Sequence, residues 1–158
     1  MDGAQTGRTL AVGDIHGCLD ALEALANFAK FRPEDRLITL GDVIDRGPNS
    51  NGVIEWLMAR AATEANQIHL LGNHELMILE AKRQLWRTGG WILSGGQETL
   101  DSYAKPGSQG SLDSIPDEHW EWMKAGLPFH ETDTHIFVHA GVHPNKPLTV
   151  KKQPESKL

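Results

Sequence analysis

Six side chains of this 158-residue chain can hold a metal ion through a hard oxygen or an imidazole nitrogen, and each lies within a short glycine-containing block. Asp14 and His16 lie in "GDIHG", Asp42 in "GDVIDRG", Asn73 and His74 in "GNHE", and His139 in "HAG". Taken singly, a Gly-Asp pair is a turn with an Asx hydrogen bond. Together, these are ligands of the kind that bind manganese, iron or zinc. A carboxylate such as Asp42 can bridge two cations, and ions roughly 3.5–4 Å apart can activate water and clamp the oxygens of a phosphoryl group. Cys18 is the single cysteine, so an intramolecular disulfide and a cysteine-built zinc site are both excluded.

Such ligands need a scaffold that brings them to one place. Thr9 to Val12 reads as a strand, followed by helical spacing of Leu19, Leu22, Leu25, Ala26 and Ala29 over Leu19 to Phe31. The pattern repeats with a strand over Arg36 to Leu40 and a helix over Gly52 to Arg60. It repeats again with a strand over Gln67 to Leu71, "GNHE" as a loop, and a helix over Leu76 to Trp86. Alternating strands and helices favour a parallel sheet with helices packed on it, in which the loops at the carboxyl ends of the strands collect functional groups. From Thr88 to Gly110 glycine and polar residues are frequent, and a short amphipathic helix with Trp120 and Trp122 is predicted over Pro116 to Ala125. Residues 86–130 thus read as a cap or insertion. Ile136 to Val138 reads as a fourth strand ending at His139. The domain spans 1–145, and 146–158 reads as a disordered tail.

Composition sets outer limits. With 39% apolar residues and a net charge of −6, the chain reads as one globular domain that is not a nucleic-acid binder. No segment approaches a signal peptide or a membrane span, so a cytoplasmic location without membrane partners is expected.

In their order along the chain, "GDIHG", "GDVIDRG", "GNHE" and "HAG" resemble the calcineurin-like metallophosphoesterases, with "DRG" and "SGGQETLDSYA" similar to the bacterial and phage branch of phosphoprotein phosphatases. That resemblance implies an α/β fold: an α/β/β/α sandwich of mixed, largely parallel sheets with helices outside. Relatives continue beyond "HAG" to a further histidine ligand, so the second half of the sandwich is expected to be incomplete, with self-association through the open sheet. The resemblance further implies two divalent metal ions, manganese first and iron, zinc or nickel as alternatives. Asp14 and His16 would hold the first ion, Asn73 and His139 the second, and Asp42 both. A metal-bound hydroxide would be the nucleophile. His74 would be the general acid, oriented by Asp45, and Arg46 would grip the phosphate together with Asn73.

The leading expectation is a phosphomonoesterase acting on phosphorylated Ser, Thr or Tyr in proteins or on small phosphate esters; the alternatives are a symmetrical dinucleoside tetraphosphate hydrolase and a weakly active remnant that binds phosphate or a partner. Glu75 is expected to support its loop by hydrogen bonding, and Cys18 to be a small packed side chain. His69, His119, His130, His135 and His143 are expected to be solvated or packed. Trp86 and Trp91 read either as substrate contacts or as cap packing.

Overall fold

The computed structural model describes residues 7–63 and 66–146; the expected tail, Lys146 apart, lies outside the described residues. Three strands, β1 (Thr9–Val12), β2 (Arg36–Thr39) and β3 (Gln67–His69), form a parallel sheet in the order β1-β2-β3. The register pairs Thr9 with Arg36 through Val12 with Thr39, and Leu37 with Gln67 through Thr39 with His69. β2 is central, and Leu37, Ile38 and Thr39 are buried. A strand covered on both faces can be apolar without alternation, and "LIT" fits that place.

Helices α1 (Leu19–Ala29), α2 (Ser50–Thr63) and α3 (Asn73–Arg83) follow the three strands in turn. Val53, Ile54 and Leu57 form the buried stripe of α2, and His74, Ile78 and Ala81, spaced four and three apart, form that of α3. These side chains share one core with Leu37, Val43 and Ile44, and with Trp91, Leu100, Leu112, Ile115, Trp120 and Met123 from the second half of the chain.

Three elements depart from the sequence reading. α3 starts at Asn73, so "NHE" forms its first helical turn rather than a loop. The cause lies outside the block: the Asp42 carboxylate accepts from the His74 N–H at 3.0 Å and so supplies the cap that Gly72 cannot. The glycine-rich stretch is helical, as α4 (Thr88–Trp91), a π-turn (Ile92–Gly96) and α5 (Gln97–Ser102), with a break at Gly95, whose φ is 107°.

The fourth strand does not join the parallel sheet. After α6 (Asp117–Lys124), Leu127 makes an isolated parallel bridge beside β3. The chain then folds into an antiparallel pair, β4 (Phe129–Glu131) with β5 (Ile136–Val138). Only Thr132 to His135 separate these two strands, and the Thr132 N–H donates to the His135 carbonyl at 2.8 Å. A connection that short makes a hairpin, whereas a parallel return needs a crossover of a dozen or more residues.

At the amino ends of β1 and β2, Asp35 is fully buried and accepts from Arg8 and Arg32. The Arg8 guanidinium, ahead of the other bonds, holds this carboxyl well below the usual carboxylate range. Among the described residues no helix is long and apolar enough to cross a membrane.

Candidate metal centre

The carboxyl edge of the sheet is held together by its own backbone. His16, Asp42, Asp45 and Arg46 have φ of 46°, 52°, 69° and 66°, in the left-handed region that costs an L-residue about 1–2 kcal/mol. Four such residues in two adjoining blocks persist because hydrogen bonds overdetermine them. The Asp42 carbonyl accepts from the Ile15 and His16 N–H groups, and the Val43 carbonyl accepts from Gly17. The buried Glu75 carboxylate accepts from the N–H groups of Asp42, Val43 and Gly72 at 2.8–2.9 Å. Burial pushes the Glu75 carboxyl upward, and those three N–H donors oppose the shift. The expected supporting role of Glu75 thus has a definite form: it ties "GDVIDRG" to "GNHE". Gly72 must be glycine, since a Cβ there would lie 2.0 Å from Asp42 Oδ1.

Asp42 is 3% exposed and sits at the centre of the cluster. Its Oδ2 lies 3.8 Å from His16 Nε2, 3.5 Å from His139 Nε2 and 4.0 Å from His74 Nε2. Asp14 Oδ2 is 3.8 Å from His16 Nε2, and the Asn73 carboxamide oxygen is 3.1 Å from His139 Nε2. Two triads share Asp42, one with His16 and His74 and one with Asp14 and His139. His139 reaches this edge although β5 lies outside the parallel sheet.

The tautomers of two imidazoles follow from their tethers. His16 Nδ1 lies 2.9 Å from the Ile44 carbonyl, and His139 Nδ1 lies 2.9 Å from the Leu40 carbonyl. A carbonyl only accepts, so each Nδ1 carries the proton, and the neutral tautomer with that proton would turn an Nε2 lone pair toward Asp42. The Asn73 oxygen and the Asp14 carboxylate add further acceptors. Converging lone pairs of oxygen and imidazole nitrogen, without thiolate, fit divalent metal ions. The buried His74 Nε2, aimed at the same place, has no hydrogen-bond partner.

His74 is tethered differently. Its Nδ1 lies 2.7 Å from Asp45 Oδ2, and both residues are buried. Asp45 also accepts from Trp91 Nε1 at 2.7 Å and from the Thr99 hydroxyl at 2.6 Å, while its own N–H donates to the Ser50 and Thr99 hydroxyls. Trp91 is therefore neither a substrate contact nor mere packing, but a donor to the carboxylate that holds His74. Trp86, in contrast, is 75% exposed, with the Arg87 guanidinium 4.7 Å from its ring centroid.

The "SGG" and "QET" residues explain themselves here. The Gly95 carbonyl accepts from the Arg46 N–H at 2.9 Å, and a Cβ on Gly96 would lie 2.3 Å from the Trp91 ring. Arg46 is exposed, and its Nη1 lies 3.0 Å from His16 Nε2. Cys18 is exposed, in contrast to the packed place expected of it, and its thiol donates to the His16 carbonyl at 3.4 Å. Next to Asp14 opens a cleft of about 280 Å³ lined by Val12, Ile15, Cys18, Leu22 and Leu25. Larger clefts of about 390 and 460 Å³, around Arg36 and Asp133, lie toward the amino ends of the strands, away from these groups.

A parallel sheet with a histidine–carboxylate cluster at its carboxyl edge defines a metallohydrolase-type site. The chain belongs to the calcineurin-like phosphoesterase family, whose model matches residues 7–156. It is 31% identical over 137 residues to the symmetrical bis(5'-nucleosyl)-tetraphosphatase of Methylobacillus flagellatus, covering 86% of this chain and 44% of that protein. It is 33% identical over 130 residues to serine/threonine-protein phosphatase 1 of Salmonella typhimurium, covering 82% and 56%. A crystal structure of a candidate diadenosine tetraphosphatase superposes with a TM-score of 0.70 at 28% identity, over 97% of this chain and 58% of that one. The chain thus spans about half the length of the curated relatives it matches. The family implies divalent metal ions, and the His and Asp groups at this edge suit them.

Proposed function

We propose that the protein is a metal-dependent hydrolase of phosphoric esters and anhydrides, with a dinucleoside tetraphosphate, cleaved symmetrically, as its substrate. The observation that carries the reaction class is His74, held by buried Asp45 with its unpaired Nε2 facing Asp42. The substrate class is supported by the resemblance to symmetrical tetraphosphatases, which are well represented among the similar proteins, and by the candidate diadenosine tetraphosphatase that superposes over 97% of this chain.

Asp14, His16, Asp42, Asn73 and His139 would hold two divalent ions, with Asp42 shared between them. Such ions supply Lewis acidity and lower the pKa of water at the site. The residues do the rest. The Asp45 carboxylate accepts from the His74 Nδ1–H and fixes the ring plane, so that Nε2 can deliver a proton to the leaving phosphate oxygen. Arg46, exposed and next to the cluster, presents a planar fork suited to two phosphate oxygens. Because a nucleoside diphosphate is a better leaving group than an alkoxide, the anhydride depends less on that proton than a phosphoserine would.

The alternative, phosphoprotein hydrolysis, is favoured by the 33% identity to a Ser/Thr phosphatase and by the "DRG" and "SGGQETL" blocks. Manganese-loaded protein should be given diadenosine tetraphosphate and a phosphothreonine peptide in parallel, with products resolved by chromatography. Adenosine diphosphate as the sole nucleotide product supports the first reading. Phosphate release from the peptide without attack on the dinucleotide supports the second.

A further inference from the structure

Away from the metal centre, one buried histidine is left with an unsatisfied nitrogen. His119, in the first turn of α6, has no exposed surface. Its Nδ1 lies 2.8 Å from the Tyr103 hydroxyl, whose ring stands edge-on at 5.6 Å. Its Nε2 is buried with no hydrogen-bond partner, although Glu55 Oε1 of α2 lies 3.2 Å away. Glu118 completes the group: one ligand atom from each of Glu55, Glu118 and His119 lies within 4.8 Å of the others.

We propose that Glu55, Glu118 and His119 form a second, non-catalytic site for a divalent cation, with Zn²⁺ as the ion that suits it best. The donor set of one imidazole and two carboxylates is one that zinc takes, with water filling the remaining position. The Tyr103 oxygen can accept from Nδ1–H, which leaves the Nε2 lone pair for the ion and fixes the ring plane as partners outside a metal's ligand set do. Burial and the charge of Glu55 push the Tyr103 hydroxyl upward, so it stays protonated.

A simple His119–Glu55 ion pair accounts for less. It leaves two neighbouring carboxylates against one imidazolium, and it places Nε2 and Oε1 close together without hydrogen-bond alignment. A dication neutralises both carboxylates and uses the lone pair. Such an ion would clamp α2 to α6. The same α2 carries Ser50, and Tyr103 follows the helix that carries Thr99, so the clamp would brace the far side of the Asp45 pocket.

Zn²⁺ binding should be measured by calorimetry and by metal content after dialysis, together with thermal unfolding, on the full chain and on Glu55→Gln and Glu118→Gln. Both side chains are exposed, so the variants should fold. To separate this site from the Asp42 cluster, the measurements should be repeated with Asp42→Asn in every protein. The proposal predicts one Zn²⁺ fewer per chain in each glutamine variant, in both backgrounds. Zinc at ten times its dissociation constant should raise the folded-to-unfolded ratio about elevenfold through this site, and this gain should vanish in the variants. Equal zinc content and equal zinc-dependent stabilisation in all proteins would overturn it. So would a metal-independent loss of stability confined to Glu55→Gln, which is the signature of the ion pair alone.

Discussion

The carboxyl edge of the sheet has an open side and a buried side, and they hold histidine in opposite ways. On the open side His16 and His139 are tied through Nδ1 to main-chain carbonyls, which directs each Nε2 toward Asp42. On the buried side His74 is tied through Nδ1 to a carboxylate that has no exposed surface and accepts from Trp91 and Thr99 as well. A carbonyl tether fits the ligand role of His16 and His139. The buried carboxylate tether, itself held by two further donors, fits the proton-donor role proposed for His74. The difference between the two therefore lies in what stands behind each ring, not in the residue type.

The comparison breaks most completely at Asp42, the one group that faces both sides. Asp42→Asn keeps a side-chain oxygen to cap α3, and asparagine tolerates the left-handed backbone at φ 52°, so the fold should survive. Bound metal and hydrolysis should both fall, with activity down by about 10³-fold or more on the loss of ion-based activation of water. Metal analysis alongside circular dichroism checks this. Normal metal content in a folded variant would remove Asp42 from the centre of the account.

A smaller effect separates the two sides. Trp91→Phe deletes one donor to Asp45 and leaves a buried carboxylate under-satisfied, at a cost of about 1–3 kcal/mol in stability. Because the Trp91 indole N–H donates to Asp45 and not to a group on the open side, metal content should not change, while turnover should drop about tenfold through a less well-held His74. Denaturant unfolding and a metal assay on the same preparation would show whether the sides are separable. Joint loss of metal and turnover would show that they are not.

The smallest effect lies at the opposite end of the strands and serves as a control. Asp35 is held below its ordinary range by Arg8, so its stabilising contribution is full above the unfolded carboxyl value of about 3.9 and fades as pH falls below it. Asp35→Asn should therefore be less stable than the parent at neutral pH, and the gap should narrow at pH 3. Thermal midpoints at the two pH values test this, and a gap that widens on acidification would contradict it.

The open side was legible in the sequence because its ligands fall in short glycine-containing blocks: Asp14 and His16 in "GDIHG", Asn73 in "GNHE" and His139 in "HAG". The three parallel strands and their helices were legible from short apolar runs followed by helical spacing. Of the buried side, the His74–Asp45 pair was legible through the resemblance, but the donors behind Asp45 were not. Trp91 and Thr99 lie 46 and 54 residues from Asp45, and helix spacing around Gly89, Gly90, Gly95 and Gly96 does not stand out from a loop. The early start of α3 had a readable signal in Glu75, three residues after Gly72, where a carboxylate often closes a helix amino terminus. The β4–β5 hairpin was missed because βα alternation was carried one strand too far. His119 was read as an ordinary histidine because its partners Glu55 and Tyr103 lie 64 and 16 residues away, on other elements.

The division of labour between the two sides is tested most directly by a leaving-group series. Hydrolysis of aryl phosphates of graded phenol pKa should be measured for the parent protein and for His74→Asn at matched metal content. If His74 delivers the proton, the variant should retain its metal and lose about 10²–10⁴-fold in turnover on the poorest leaving group, and the loss should shrink steadily as the phenol becomes more acidic. A loss of equal size across the whole series, or a loss that follows bound metal instead, would contradict the account.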